Sequence, residues 1–532
     1  MKINKKYLWV ILICISILTF SMVRKTFEND TFYTIAIGDS VLENGVDMKD
    51  HYCFKAGLEY TYPHWLFDSI IGAFYRVWDF FGVYLFTVIA SIVFSITMFV
   101  IMKKRKANTS IAFFITLFSI QLLSSLFVAR AQLVSYLLLM IEFFVLEALA
   151  ENKKFSHVLL LIVIPILIAN MHAAVWYIYF IMYLPYFAEA FVEFRSLPNV
   201  ITRKRDKLER KIKSKNLNKK EIKEIEKQIN HYNKYLENKS KEKCEHKFYT
   251  CKNQNLKLMI FLFLLALVTG MITPIGDTPY TYLIKNTMGS SFEYITEQAK
   301  LVVADRADFQ IVFISLIAII GFTKTKLRIK DAFYILGFCV LAIISTRSVL
   351  FFVIFGMIIL TKLITEFVES NNIDLQKLDN VMSKNVSIIC VVLIVGFTAM
   401  MNYSQIINTK YVDESLYPVK AVEYMLKHED IQYMKLYNDY NFGSYLLFKG
   451  IPVFVDSRSE LYCKEFNEDV TIFDDYMSII NGDEHYSRIF DKYKITHILV
   501  KNDSIENVYI SRDSKYKVEY QDDKFVLYEK KK

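Results

Sequence analysis

The chain has 532 residues, 54% of them hydrophobic, with a mean hydropathy of +0.26 and a formal net charge of +9. That is too apolar for a string of soluble domains and places the chain among polytopic membrane proteins. The positive charge sits in loops beside apolar runs, where it signals topology and not a nucleic-acid footprint.

Apolar runs recur at about 7–23, 80–102, 109–128, 132–150, 156–170, 173–191, 257–273, 309–323, 331–345, 348–366 and 386–402. Several approach the roughly 20 residues that cross a bilayer, so about eleven spans are expected. Lys2, Lys5 and Lys6 before the first run have the look of a signal peptide. The residues that follow it, Met22, Val23, Arg24 and Lys25, offer no small-x-small cleavage site, so a retained helix is expected.

Alternating the spans from a cytoplasmic N-terminus puts Lys103–Lys106, Lys153-Lys154, the 192–256 insert and Lys324–Lys330 inside. Residues 193–257 carry 20 basic and 9 acidic side chains, whereas the tail 403–532 carries 18 basic and 23 acidic ones and falls outside. Arg24 and Lys25 sit on the wrong side of the first span, but they are only two residues. The expected fold is therefore an α-helical polytopic membrane body, 1–402, N-in and C-out, with a C-terminal extracytoplasmic α/β domain, 403–532.

Between the first two spans lies a loop, 24–79, far longer than the polar turn that usually joins neighbouring helices. It carries Asp30, Asp39, His51 and His64. Asp30 follows the first span by seven residues, near the headgroup boundary, where a carboxylate serves as a general base or as the ligand of a divalent cation. The other reading of Asp30 is a helix cap before Phe32, Ile35, Ala36 and Val41. Asp39 falls on the exposed face of that helix. Residues 65–78 place Phe67, Ile70, Ile71, Phe74 and Trp78 on one face, the pattern of a helix lying on a bilayer.

Polar residues at span ends come next, because they are costly in hydrocarbon. Arg130 and Gln132 occupy the turn between the third and fourth spans, Asn170 and His172 the outer end of the fifth, and Arg347 the outer end of the ninth. Snorkelling arginines or a histidine bonded across helices would look the same. Yet Asp30, His64, Arg130, His172 and Arg347 all map to one leaflet, and a basic cluster facing a carboxylate suits a lipid-linked phosphate.

The insert reads as a helical hairpin, 204–213 and 221–236. Asn218 and Glu221 form a capping box, and Ile222, Ile225, Ile229, Tyr232 and Leu236 make a short coiled-coil seam. It suits anionic lipid or a protein partner. The loop 274–307 adds Pro274-Ile275-Gly276-Asp277 and Glu297-Gln298. In the tail, 418–428 and 486–493 read as helices and 434–437, 453–455, 498–501, 516–520 and 525–529 as strands, with Asp522-Asp523 as a hairpin turn. Of the cysteines, Cys14, Cys339 and Cys390 lie in spans. Cys244 and Cys251 with His246 match no zinc spacing, and Cys53 and Cys463 leave a disulfide open.

Several of these segments together resemble the bacterial C-type glycosyltransferases. Asp30-Thr-Phe-Tyr-Thr-Ile-Ala-Ile-Gly38 followed by His64-Trp65-Leu66 is similar to their first outer loop. Val128-Ala-Arg-Ala-Gln132 and Ala169-Asn-Met-His172 resemble two of their span-end motifs, with alanines for a proline and for glycines. Thr273-Pro-Ile-Gly276, Glu297-Gln298, Asn438–Leu446 and Val455–Tyr462 follow in the matching order. The resemblance implies transfer of a sugar from a polyprenyl-phosphate donor to a glycan, lipid or protein acceptor on the extracytoplasmic side of a cell membrane. It also implies a catalytic carboxylate on the first outer loop, carried to Asp30 as general base or metal ligand. His64, Trp65, Arg130, Asn170, His172, Arg347, Asp39 and Glu297 are then the substrate-binding candidates. A magnesium or manganese ion, with Asp30 as its ligand, is the one cofactor left open. In the tail, Gly443 is read as allowing a close backbone approach and Asp456 and Arg458 as an internal pair. Two rivals remain: a transporter or flippase of lipid-linked glycans, which calls for ionisable groups near the bilayer midplane, and a non-catalytic scaffold of an envelope-assembly complex.

Overall fold

A computed structural model of the chain describes residues 5–214, 219–241, 247–289, 294–295 and 298–531. Each apolar run lies in helix, because a backbone removed from water must satisfy its own N–H and C=O groups. Length separates them. Among the described residues five helical stretches are long and apolar enough to cross a bilayer: Trp65–Lys104, Ala131–Glu151, Ala173–Arg195, Thr346–Ser370 and Asn385–Ile406. The other runs form shorter helices, such as Thr109–Leu122, which at 1.5 Å per residue reaches about 21 Å against a hydrocarbon core of roughly 30 Å. Eleven full crossings are therefore not what helix length supports.

The helix Trp65–Lys104 is broken at Trp78 and Asp79, the latter at φ 55°. The piece before the break corresponds to the amphipathic segment expected to lie on lipid. Its Phe67 and Ile71 are instead buried against protein, and of its apolar side chains only Val77 and Trp78 near the break are exposed. What covers them is the helix Asn29–Asn44 of the first loop. The two cross at Gly38 and Gly72, where a Cβ on Gly38 would stand 1.9 Å from the Asp68 carbonyl oxygen. Backbone cannot swing aside as a side chain can. Gly38→Ala is expected to destabilise the protein by about 3 kcal/mol, the upper range for overpacking, read as a lowered thermal transition in detergent. A wild-type transition would show that the helices do not meet here.

Two hydrophobic cores result. One fills the space between the long helices, with Ile11, Leu139, Phe143 and Phe355 among its buried members. The other joins the first loop to the tail: Phe32, Tyr60 and Phe67 pack with Tyr437, Tyr445, Leu446 and Val455. Phe32 sits edge-on to both Tyr417 and Tyr445.

A two-residue parallel pairing joins β1 (Phe248–Tyr249) to β2 (Leu327–Arg328). The tail holds β3 (Leu436–Asn438), β4 (His497–Lys501), β5 (Tyr516–Gln521) and β6 (Phe525–Lys530), in the order β3-β4-β6-β5. The first pair is parallel and the other two antiparallel. Asp522 turns the closing hairpin, its Oδ1 accepting from the backbone N–H of Lys524 and Phe525. The segment 453–455 is not a strand of this sheet. Val453 bridges Cys53 of the first loop, with Val453 N–H donating to the Tyr52 carbonyl at 3.0 Å. Gly443 does allow a close approach, since a Cβ there would meet the Val455 carbonyl oxygen at 2.1 Å. The insert forms two helices, Leu197–Ser214 and Lys219–Lys241, with Ile225 buried in the seam. Asn218, Cys244 and His246 lie outside the described residues, as does Glu297. No disulfide joins Cys53 to Cys463.

Candidate active site

The first loop, three helix ends and the tail meet around one cavity of about 280 Å³. Asp30 stands in the first turn of Asn29–Asn44, whose N-cap is Glu28, so it does not serve as the cap. It faces Arg130, the residue that opens Ala131–Glu151. Arg130 Nη2 lies 3.1 Å from Asp30 Oδ2 and its Nε 2.8 Å from Glu28 Oε2, so one guanidinium ties both carboxylates to a helix end.

His64 opens the next helix and points across the same cavity. Its Nδ1 is 2.8 Å from the carboxylate of Asp68, four residues on and fully buried, and its Nε2 is 3.0 Å from the Tyr33 hydroxyl. Burial by itself would lower this imidazole, but the Asp68 carboxylate outweighs it and holds His64 above its ordinary value. Burial pushes the Tyr33 phenol far up, so it stays a donor. His172 differs. Burial first, then the positive Arg347 and His64, hold it well below the usual imidazole value, so it is neutral, with Nδ1 2.9 Å from the Ser135 hydroxyl.

Arg347 lies on the short turn Thr346–Ser348. With the Gln132 amide oxygen turned toward it, Nε and Nη2 both donate at 2.8 Å. Among the described residues no carboxylate pairs with it. Arg347 also lines two further cavities. One, about 380 Å³, is polar and includes Glu28, Arg130 and Arg306. The other, about 160 Å³, runs between helices past Tyr136, Leu341, Ile344 and Phe351. A charged group at Arg347 could thus carry an apolar chain between the helices while its other end faces Asp30.

From the sequence candidates the cavity gathers Asp30, His64, Arg130, His172 and Arg347. Trp65 and Asn170 do not line it: the Trp65 indole N–H donates to Asn170 Oδ1 at 3.0 Å, and the Asn170 amide donates to the Ile166 and Ile272 carbonyls. They brace two helices. Asp39 is outside too, ion-paired on the surface with Arg76. The sequence reading missed Tyr33, Asp68 and Tyr282, and it missed Glu460, which the tail contributes. Burial pushes the Glu460 carboxyl up, and it is hydrogen-bonded to Tyr282. Asp68 had a signal, the i,i+4 spacing from His64; Glu460 had none beyond its neighbours. The expected pairing of Asp456 with Arg458 is present, but on a loop and not on a strand, and it extends to Asp50.

No protein-family model matches the chain, and no curated protein matches it by sequence. Solved structures do match. The oligosaccharyltransferase AglB of the archaeon Archaeoglobus fulgidus, in complex with an inhibitory peptide and a dolichol-phosphate, superposes with a TM-score of 0.54 at 7% identity. That match covers 93% of this chain and 69% of AglB. The apo form gives 0.54 at 8% identity, again covering 93% and 69%. The form tethered to an acceptor peptide gives 0.53 at 8%, covering 94% and 69%. The fold is that of a C-type glycosyltransferase.

Within this C-type fold, the described residues do not assemble a cation site. No group of three or more His, Cys, Asp or Glu side chains is placed to hold a metal ion, and Asp30 is already engaged by Arg130. Ionisable groups are not confined to the cavity surface: Arg105, Glu147, Lys330 and Asp331 ion-pair near the other end of Ala131–Glu151, and one carboxyl is buried between the two ends. Glu142 is buried midway along Ala131–Glu151, with neither oxygen hydrogen-bonded among the described residues.

Proposed function

We propose that the chain is a membrane glycosyltransferase that moves a sugar from a polyprenyl-phosphate-linked donor to an acceptor hydroxyl on the extracytoplasmic face. One observation carries the reading: Arg347, unpaired by any described carboxylate, sits where a polar cavity with Asp30 meets an apolar one between helices. Such a junction suits a molecule that is half lipid and half sugar phosphate. The fold supports the same reading, since the AglB structures hold a dolichol-phosphate and an acceptor peptide. In this proposal the first loop and the tail lie outside the cell, the N-terminus lies inside, and the shorter apolar helices complete the passage of the chain through the membrane.

The lipid chain would lie along Leu341, Ile344 and Phe351, with its phosphate against Arg347 and the neutral His172. Asp30, held by Arg130, receives the hydrogen bond of the attacking hydroxyl. The sugar C1 is attacked in line and the lipid phosphate leaves toward Arg347. Purified protein in lipid, incubated with a panel of radiolabelled polyprenyl-phosphate sugars, should transfer or hydrolyse at least one. Failure with every donor would leave the scaffold or the transporter. The buried Glu142 gives the transporter its one supporting observation, and movement of an intact lipid-linked glycan across vesicles that is lost in Glu142→Gln would establish it. Arg347→Ala is expected to raise the donor KM about 10- to 100-fold, the worth of a hydrogen bond to a charged group. An unchanged KM would place the phosphate elsewhere.

A further inference from the structure

We propose that Tyr33, His64 and Asp68 form the chain that takes the acceptor's proton during transfer. The inference rests on the glycosyltransferase reading and deepens it, because that reading leaves open where the proton goes. Tyr33 is three residues after Asp30, on the same face of Asn29–Asn44, and both line the cavity. The Tyr33 hydroxyl meets His64 Nε2 at 3.0 Å, and His64 Nδ1 meets Asp68 at 2.8 Å. Asp68 has no exposure, and the Thr34 hydroxyl hydrogen-bonds it from the crossing helix.

The tautomer follows from the partners. An ionised carboxylate only accepts, so His64 Nδ1 carries its hydrogen toward Asp68 and Nε2 offers its lone pair to Tyr33. A proton acceptor, a base and a buried group that orients the base thus stand in line, the arrangement by which side chains activate hydroxyl nucleophiles. A buried carboxylate whose one charged partner is a histidine is costly without a charge to balance it. Protonated His64 supplies that charge at the moment it is needed.

The step balances. The acceptor oxygen forms its bond to the sugar C1 as the bond from C1 to the phosphate oxygen breaks, and the electron pair leaves on the lipid phosphate. The hydroxyl's proton passes to Tyr33 Oη as the Tyr33 proton passes to His64 Nε2, giving an imidazolium paired with Asp68. After the product leaves, the proton returns through Tyr33 to water or to the released phosphate. Asp30 accepts the hydrogen bond that first orients the hydroxyl, and that hydrogen turns to Tyr33 Oη as the bond to C1 forms.

His64 is faced by Asp68, Tyr33, Glu460, Asp30 and His172, with Arg347 behind His172. Only neutral His64 can take the proton, so the rate should fall as pH drops through its raised pKa. The test uses the full chain in lipid nanodiscs with a donor that the wild type turns over. Tyr33→Phe should lower kcat about 100-fold, leave the donor KM unchanged and abolish the acid limb of the pH profile. Asp68→Asn should shift that limb to lower pH, and the His64 signal in nitrogen NMR of labelled histidine should move with it. A brace that only held the helices together would change thermal stability and leave both pH readouts in place. Wild-type kcat and pH profile in Tyr33→Phe overturn the relay alone. A wild type that transfers from no donor overturns the glycosyltransferase reading and the catalytic role of the relay with it.

Discussion

Asp30→Asn is expected to reduce sugar transfer by at least about 100-fold, the scale on which losing the group that positions a reactant slows a reaction, while the protein still folds and inserts. Asparagine keeps the shape of the side chain but loses the charge, and its amide presents donors where a carboxylate only accepts. The fold should survive because Arg130 retains Glu28 at 2.8 Å as a second carboxylate partner. Asp30 also caps nothing, so no helix end is lost with it. The comparison to make is kcat at saturating donor beside the thermal transition in detergent. Full activity in Asp30→Asn would remove it from the reaction and shift the search to Glu460, the other carboxylate in the cavity. A lost transition temperature would mean instead that the Arg130 bridge is structural.

Part of this site was legible because its residues announce themselves by position. Arg130, His172 and Arg347 stand at the ends of apolar runs, where polar groups are costly and few, and alternating the runs brought them to the surface that carries the loop with Asp30 and His64. Asp39 failed for a reason of helical period. Nine residues from Asp30 is two and a half turns, so the two carboxylates point to opposite faces of Asn29–Asn44, and Asp39 meets Arg76 at the surface. Trp65 and Asn170 failed because each satisfies the other, a pairing across 105 residues that no local pattern reveals. The segment 453–455 has the side chains of a strand, but its neighbour is Cys53, some 400 residues earlier. The same distance hid the second core. Phe67 and Ile71 read as membrane-facing because nothing in their own segment showed that the helix Asn29–Asn44 would cover them, and Phe32 on that helix gave no sign of Tyr445 beyond it.

Arg458→Met carries the second large effect, on assembly of the site and not on its chemistry. Arg458 is almost fully buried, with Nη1 2.7 Å from Asp50 of the first loop and Nη2 2.7 Å from Asp456 of the tail. Tyr462 also donates to Asp456, and the guanidinium lies 4.9 Å from the centre of the Tyr60 ring. Removing the charge strands two carboxylates away from water, and breaking such a pair costs about 3–5 kcal/mol. Lysine should not rescue it, because a point charge cannot hold Asp456 through the two parallel bonds from Nε and Nη2. The expected result is a lower thermal transition together with lost transfer, since Glu460 is two residues further along the same loop and enters the cavity only when the tail is docked. Adding Asp50→Asn and Asp456→Asn removes the stranded charges and should restore part of the stability, as neutral replacement of buried ion pairs does. If activity returned with it, the triad would be only a fastener. If stability returned and activity did not, the geometry that Arg458 fixes between loop and tail would be what positions Glu460 opposite His64.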